Sequence, residues 1–274
     1  MSIKYILQIS SQDISRFFQK SFSSSLASSG MKAKFSVKIL KSGDVIPDIR
    51  GSYLAKPSTS TFPFLAENEY CSMRIQKIFG LKIPEIKFAK TLDGKGVFLI
   101  RKFAASVQGN VILQIPKSRK VDLSYEEFAL EISKVCGEKK LQQEIFKRVL
   151  GSFLVGNGDL HLGNFSFYLE NNKLTPIYDV VNTAIYIPGD DLCMPLCKDH
   201  FPSHKNDRQE FILFGKKLGL SLSQMETLFK KFAHHMAEVH KEVDQSALPK
   251  ADRDKYHQVL KERASRMGFT VEKK

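Results

Sequence analysis

The sequence predicts an α+β fold, with a small β-rich part over residues 1–103 followed by a larger helical part over 104–274. Three observations carry this. Apolar residues recur with a period of two before residue 103 and with a helical period after about 124. Between them, residues 104–120 are irregular, with Gly109, Pro116, Lys117 and Ser118. At 274 residues and 42% apolar composition the chain can bury a sizeable core.

In the first part, Ile3, Tyr5, Leu7 and Ile9 alternate as one face of a strand over 3–9. The serine-rich run 21–31 is either a flexible link or, leading into a strand with Phe35, Val37 and Ile39 on one face, a loop whose small side chains and backbone N–H groups approach phosphates. Ser42-Gly43-Asp44 turns that strand back. The stretch Gly51 to Pro57 ends in Lys56, and Pro57 cannot continue a ladder. Lys56 is a candidate phosphate-binding ammonium; the alternative is an ordinary strand-end lysine. A helix follows Pro63 and runs through Glu67, Asn68 and Glu69 to Phe79, with Cys71, Ile75, Ile78 and Phe79 on its buried face. Gly80 and Pro84 stop it. Glu69 either pairs with Lys56 or complements the positive helix N-terminus. Residues 86–91 and 96–103 form a hairpin around Asp93-Gly94.

In the second part, Ser124 and Glu127 form a capping box for a helix bearing Phe128, Ile132 and Val135. Leu141, Ile145, Val149 and Phe153 mark a second helix that ends at Gly156. Residues 165–169 and 174–178 flank a turn at Glu170-Asn171-Asn172, a small hairpin that lets Asn164 and Asp179 meet. A helix capped by Ser221 with Gln224 carries Met225, Leu228, Phe229, Phe232, Met236 and Val239 toward the core. His234, His235 and His240 read as surface or core residues. Cys193, Cys197, His200 and His204 suggest zinc, but two residues between the pairs and two interrupting prolines argue against it.

The chemistry concentrates in Gly156-Asn157-Gly158-Asp159-Leu160-His161-Leu162-Gly163-Asn164 and in Asp179 fifteen residues later. In a glycine-flanked loop, Asp159 can accept a hydrogen bond from an incoming hydroxyl and hold it in line with a phosphoryl group. Asn164 and Asp179 supply hard oxygen ligands for Mg²⁺. An Asx-rich turn uses the same residue types. The upstream Lys56 and Glu69 favour a phosphotransferase.

Forty-two basic against 29 acidic residues give a net charge of +13, which suits nucleic acid, nucleotides or acidic partners without choosing among them. The lysines are scattered and no aromatic-basic motif appears, so a solvated basic surface is favoured over direct nucleic-acid binding. No apolar run is long enough for a transmembrane helix and no signal peptide is evident. Four cysteines, unevenly placed, are no disulfide framework, so a cytoplasmic, reducing location is expected.

Gly158-Asp159-Leu160-His161 with Gly163-Asn164 resembles the catalytic loop of aminoglycoside and choline kinases. A longer ordered set resembles HipA-like toxin kinases: Ser29-Gly30-Met31-Lys32-Ala33-Lys34, Lys56-Pro57, Glu67-Asn68-Glu69-Tyr70, Gly80 to Glu85, Arg101-Lys102-Phe103, Gly158 to Ser166 and Leu174 to Val180. The resemblance spans roughly 25–200 and implies a bilobal protein-kinase-like fold with a boundary near residue 103. It further implies a serine/threonine protein kinase toxin that uses ATP and Mg²⁺, phosphorylates an aminoacyl-tRNA synthetase or another translation protein, and pairs with small antitoxin proteins. By position, Asp159 is the catalytic base, His161 shapes the loop, and Asn164 and Asp179 bind the metal. Lys56, held by Glu69, binds the ATP phosphates, as do Ser29, Gly30 and Lys34, while Arg101 and Phe103 bound the adenine hinge. Lys32 stands where Gln is usual, and Ala27 where many members carry the autophosphorylated serine, which leaves Ser28 and Ser29 as candidates. The few residues ahead of the loop resemble the short HipT-type form. The alternatives are a small-molecule kinase of the aminoglycoside or choline type, and a catalytically dead binding module.

Overall fold

The period-two segments close on themselves. In a computed structural model of the chain, described over residues 5–14, 34–58, 62–102, 112–114, 123–136, 139–168, 173–189, 191–198 and 207–269, six strands form a barrel. They are β1 (Tyr5–Leu7), β2 (Phe35–Ile39), β3 (Asp44–Pro47), β4 (Tyr53–Pro57), β5 (Ile86–Thr91) and β6 (Gly96–Arg101), in the spatial order β1-β3-β2-β4-β6-β5. Hairpin and meander neighbours pair antiparallel, as short connections require. The seam is different: β1 runs parallel to both β3 and β5, with Leu7 opposite Val45 and Thr91. Leu7, Val37, Val45, Ala55, Ala89, Val97 and Leu99 fill the interior. Ser11 latches the seam, its N–H and hydroxyl both donating to the Asp93 carboxylate.

The outer face of β5 and β6, with Phe88, Phe98 and Ile100, belongs to a second and larger core. Against it lies α1 (Leu65–Ile78), which ends as the sequence predicts: Gly80 takes φ +83 and Leu81 N–H returns to the Gln76 carbonyl at 3.0 Å. Cys71, Met73, Ile75 and Phe79 are fully buried. The same helix also buries a polar line at i, i+4 and i+8, namely Asn68, Ser72 and Gln76.

The helices that follow are α2 (Tyr125–Cys136), α3 (Lys139–Leu154), α4 (Asp207–Lys217), α5 (Leu222–Asp244) and α6 (Lys250–Arg266). Both predicted capping boxes form: Glu127 accepts from the Ser124 N–H and hydroxyl, and Ser221 and Gln224 cap α5 reciprocally. Phe146 of α3 stacks on Phe214 of α4 at 5.7 Å, and Phe79 stacks on Phe232 of α5 at 4.6 Å. Each such ring contributes about 1.5–3 kcal/mol by burial, and the Phe79 pair fastens the end of α1 to α5. The stretch expected to be irregular contributes one strand, β7 (Ile112–Gln114), which pairs with β8 (Ser166–Tyr168); β8 in turn forms the predicted hairpin with β9 (Lys173–Leu174). A backbone partner across the sheet, which local composition cannot show, makes that strand. Ser28, Ser29, Gly30, Phe103, His200 and His204 lie outside the described residues.

Candidate active site

Strand alternation decides where Lys56 goes. Along β4, Tyr53 and Ala55 turn into the barrel, whereas Leu54 and Lys56 turn toward α1. There the Lys56 ammonium reaches two carboxylates, Glu69 Oε1 at 2.5 Å and Asp179 Oδ1 at 2.8 Å, across 13 and 123 residues of chain. Glu69 comes from the second turn of α1 and is 1% exposed; Asp179 comes from the loop after β9 and is 28% exposed. Burial alone would push the Lys56 pKa down. Asp179 and then Glu69 override it, and the ammonium ends above the ordinary lysine range. Lys56 is therefore a fixed cation at the junction of barrel, α1 and the Asp179 loop.

The catalytic-loop candidates sit on a turn built by backbone hydrogen bonds. Gly156 ends α3 at φ +70, where a Cβ would stand 2.6 Å from Val259 Cγ1 and 2.9 Å from Asn182 Oδ1. Its carbonyl accepts from Thr183 N at 3.0 Å and Ala184 N at 3.2 Å, and Gly158 N donates to Thr183 Oγ1 at 2.8 Å. Asn157 Oδ1 accepts from Asp159 N at 3.2 Å, an Asx-type turn that leaves the Asp159 side chain 47% exposed. His161 Nε2 is 4.0 Å from Asp159 Oδ1, and a single 3₁₀ turn (Leu162–Asn164) follows, in which Asn164 Oδ1 accepts from His161 N at 3.1 Å. Tyr125 of α2 supports the loop from beneath, donating to the Leu160 carbonyl at 2.6 Å.

A hydrogen bond ties the segment before Asp179 to the turn that carries Asn164. Tyr178, just before Asp179, donates its hydroxyl to the carbonyl of Gly163, just before Asn164, at 3.0 Å and lies 2.5 Å from the Ser166 hydroxyl. Asp179 itself adopts φ +61, a left-handed conformation that costs a side-chain-bearing residue about 1–3 kcal/mol and persists because its surroundings demand it. Asn164 carries a buried amide oxygen and Asp179 a partly open carboxylate beside the Lys56 ammonium, hard oxygen donors of the kind that suit Mg²⁺ better than a soft metal.

Arg101 turns away from Lys56, whereas Lys34 lies one residue beyond the Phe35–Ala55 pair of the β2–β4 ladder, across from Lys56. Arg101 shares the face of β6 that carries Val97 and Leu99, opposite the face that meets Lys56, and its guanidinium pairs with Glu85 at 3.1 Å. Lys34 is exposed just before β2. Cys193 is exposed and Cys197 buried, and among the described residues no three His, Cys, Asp or Glu side chains gather as a metal site.

Sequence reasoning passed over Asn68 and Asn182, both fully buried. The Asn68 amide donates to the Asn182 carbonyl and accepts from the Asn182 N–H, both at 2.9 Å. One signal was available: asparagine is a poor helix-interior residue, and Asn68, Ser72 and Gln76 recur at helical spacing beside an apolar face.

A family model described as the HipA-like C-terminal domain matches residues 26–243. A Haemophilus influenzae (strain ATCC 51907 / DSM 11121 / KW20 / Rd) protein named "Putative kinase" is 37% identical over 160 residues, 50% of this chain and 47% of that protein. A Sinorhizobium fredii (strain NBRC 101917 / NGR234) protein named "Putative kinase Y4dM" is 24% identical over 163 residues, 52% of this chain and 40% of that protein. The chain thus matches less than half the length of either relative. Among solved structures, the Shewanella oneidensis MR-1 toxin–antitoxin complex of HipA, HipB and operator DNA aligns with a TM-score of 0.70 at 15% identity, covering 93% of this chain and 70% of that one. The Helicobacter pylori proinflammatory kinase CtkA aligns at 0.55 and 17% identity, covering 78% and 84%. At such identities both show a shared fold.

Proposed function

The chain belongs to the HipA-like C-terminal domain family, and from that premise we propose that it is a Mg²⁺-ATP-dependent serine/threonine protein kinase acting as the toxin of a toxin–antitoxin system. One observation carries the reading: a buried lysine on a strand pairs with a helix carboxylate beside a loop carboxylate, the residue set that protein-kinase-type phosphoryl transfer uses. In this reading the barrel with α1 and the helical part are the two lobes of a kinase, divided near residue 103. The segment 101–103 is the proposed adenine hinge.

Lys56, kept charged by its two carboxylates, orients and neutralises the ATP phosphates. Ser29, Gly30 and Lys34 cover them. Asn164 and Asp179 would hold Mg²⁺, whose chemistry when bound is to neutralise charge on the phosphate oxygens. Asp159, open to solvent, accepts the proton of a substrate serine or threonine hydroxyl. That oxygen bonds to the γ-phosphorus as the bond from phosphorus to the bridging oxygen of ADP breaks. His161 keeps the loop shaped around Asp159. A half-exposed base suits an acceptor on a protein surface, and a translation protein such as an aminoacyl-tRNA synthetase is the proposed acceptor. Small antitoxin proteins are the proposed partners, and Ser28 or Ser29 the proposed autophosphorylation sites; the short HipT-type form belongs to the same proposal. Co-purification of a separately encoded small protein and mass spectrometry of the loop serines test these parts.

The central test is transfer of labelled phosphate from ATP to a bacterial lysate. Wild type labels a discrete protein, and Asp159→Asn lowers the rate about 10²–10⁴-fold while nucleotide binding is kept. Equal labelling by the two proteins sinks the assignment. Labelling of an aminoglycoside or amino alcohol in place of protein redirects it to a small-molecule kinase.

A further inference from the structure

We infer that Asn68 is a positioning residue that holds Glu69 in register with the backbone after Asp179, so that Lys56 meets both carboxylates before any nucleotide arrives. Its importance for catalysis rests on the kinase reading above.

Asn68 precedes Glu69 by one residue, and Asn182 follows Asp179 by three. Between them the Asn68 amide makes the donor–acceptor pair that a neighbouring strand would make, with both bonds at 2.9 Å and both residues fully buried. The Ser72 hydroxyl donates to Asn68 Oδ1 at 3.1 Å, which fixes the oxygen end of the amide, and lies 2.8 Å from the Tyr256 hydroxyl of α6. One turn further on, Gln76 Nε2 donates to the Gly151 carbonyl of α3 at 3.1 Å. The polar line on α1 therefore pins three successive turns of the helix to the Asp179 segment, to α6 and to α3.

A rotation of α1 that withdrew Glu69 from Lys56 would break both Asn68 bonds in a place water does not reach, leaving a donor and an acceptor unsatisfied. Lys56 cannot supply this rigidity, because an ammonium on a flexible four-carbon stem follows its carboxylates. The Asn182 segment is in turn tied to the catalytic loop, since Gly156 accepts from Thr183 and Ala184. Asn68 thus joins the lysine partner, the metal-ligand loop and the turn bearing Asp159 into one body. An assembled site of this kind needs no later rearrangement of α1 to bring Glu69 to Lys56.

The test is the rate at which Lys56 is reductively methylated by formaldehyde and borohydride, read by mass spectrometry without nucleotide, alongside urea denaturation of every variant. In wild type Lys56 reacts slowly. Asn68→Ala speeds it about tenfold, the factor that loss of roughly one net hydrogen bond gives. Asn68→Asp, which keeps the shape but sets a carboxylate oxygen against the Asn182 carbonyl, accelerates it at least as much. Arg74→Ala removes the two-point pairing of the same helix with Glu242 without touching Asn182, and leaves the Lys56 rate unchanged at a comparable loss of stability. Wild-type rates in both Asn68 variants, or equal acceleration in Arg74→Ala, overturn the assignment. Because nucleotide is absent, failure of phosphate transfer in the lysate assay counts against the kinase reading alone.

Discussion

Lys56→Met removes the shared cation while keeping a side chain of similar length. Glu69 and Asp179 then face each other without the ammonium that held them 2.5 and 2.8 Å from its nitrogen. Taking one partner out of a buried ion pair costs about 3–5 kcal/mol. The 28% exposure of Asp179 admits water and argues for the lower end. At about 2–4 °C per kcal/mol for a chain of this size, the melting temperature falls by about 10 °C. Thermal denaturation measures it, and Lys56→Met/Glu69→Gln, which removes the stranded buried carboxylate, recovers stability but no phosphate transfer. A variant as stable as wild type refutes the claim that the triad is a mutually dependent buried cluster.

Gly156→Ala places a methyl group against Val259 and Asn182 at a left-handed position and should destabilise by about 1–3 kcal/mol in urea while displacing the loop enough to lower phosphate transfer. His240 is a pH-sensitive point. Burial first, then His257 at 2.7 Å and Lys261, hold its pKa down to about 4 against the opposing pull of Asp244. A depressed folded pKa gives stability present above the ordinary histidine value and lost as pH falls toward the folded one, so the α5–α6 contact weakens between about pH 6.5 and 4. His240→Phe should flatten the melting temperature over that window.

The features legible in the sequence share a local cause. Gly80, Gly94 and the capping pairs Ser124–Glu127 and Ser221–Gln224 announce helix ends and turns through their own backbone needs, and each lies where predicted. Lys56, Glu69 and Asp179 were legible as a chemical set, and the structure brings them into contact. The parallel seam of the barrel was illegible, because three residues around Leu7 carry no mark of the partner on either side. β7 was hidden for the same reason. Asn68 was hidden by its charged neighbours: between Glu67 and Glu69 it reads as part of a polar face, and only the tertiary fold reveals that its amide serves another segment's backbone. The pairing of the Arg101 side chain with Glu85 was not legible either, since it follows from strand alternation on β6 and from a partner sixteen residues away.

The parallel seam also sets an order of events during synthesis. Tyr5 pairs with Ala89 and Leu7 with Thr91, so β1 can join β3 early but lacks its second neighbour until β5 has been made. Contacts this distant in sequence are slow to form, since the intervening chain must first be gathered. The interval is long enough for β2, β3 and β4 to pair among themselves and for α1 to coil. Joining β5 to β1, with β6 bridging β5 and β4, then closes the barrel, and a chain stalled before residue 86 presents two bare sheet edges to whatever is nearby.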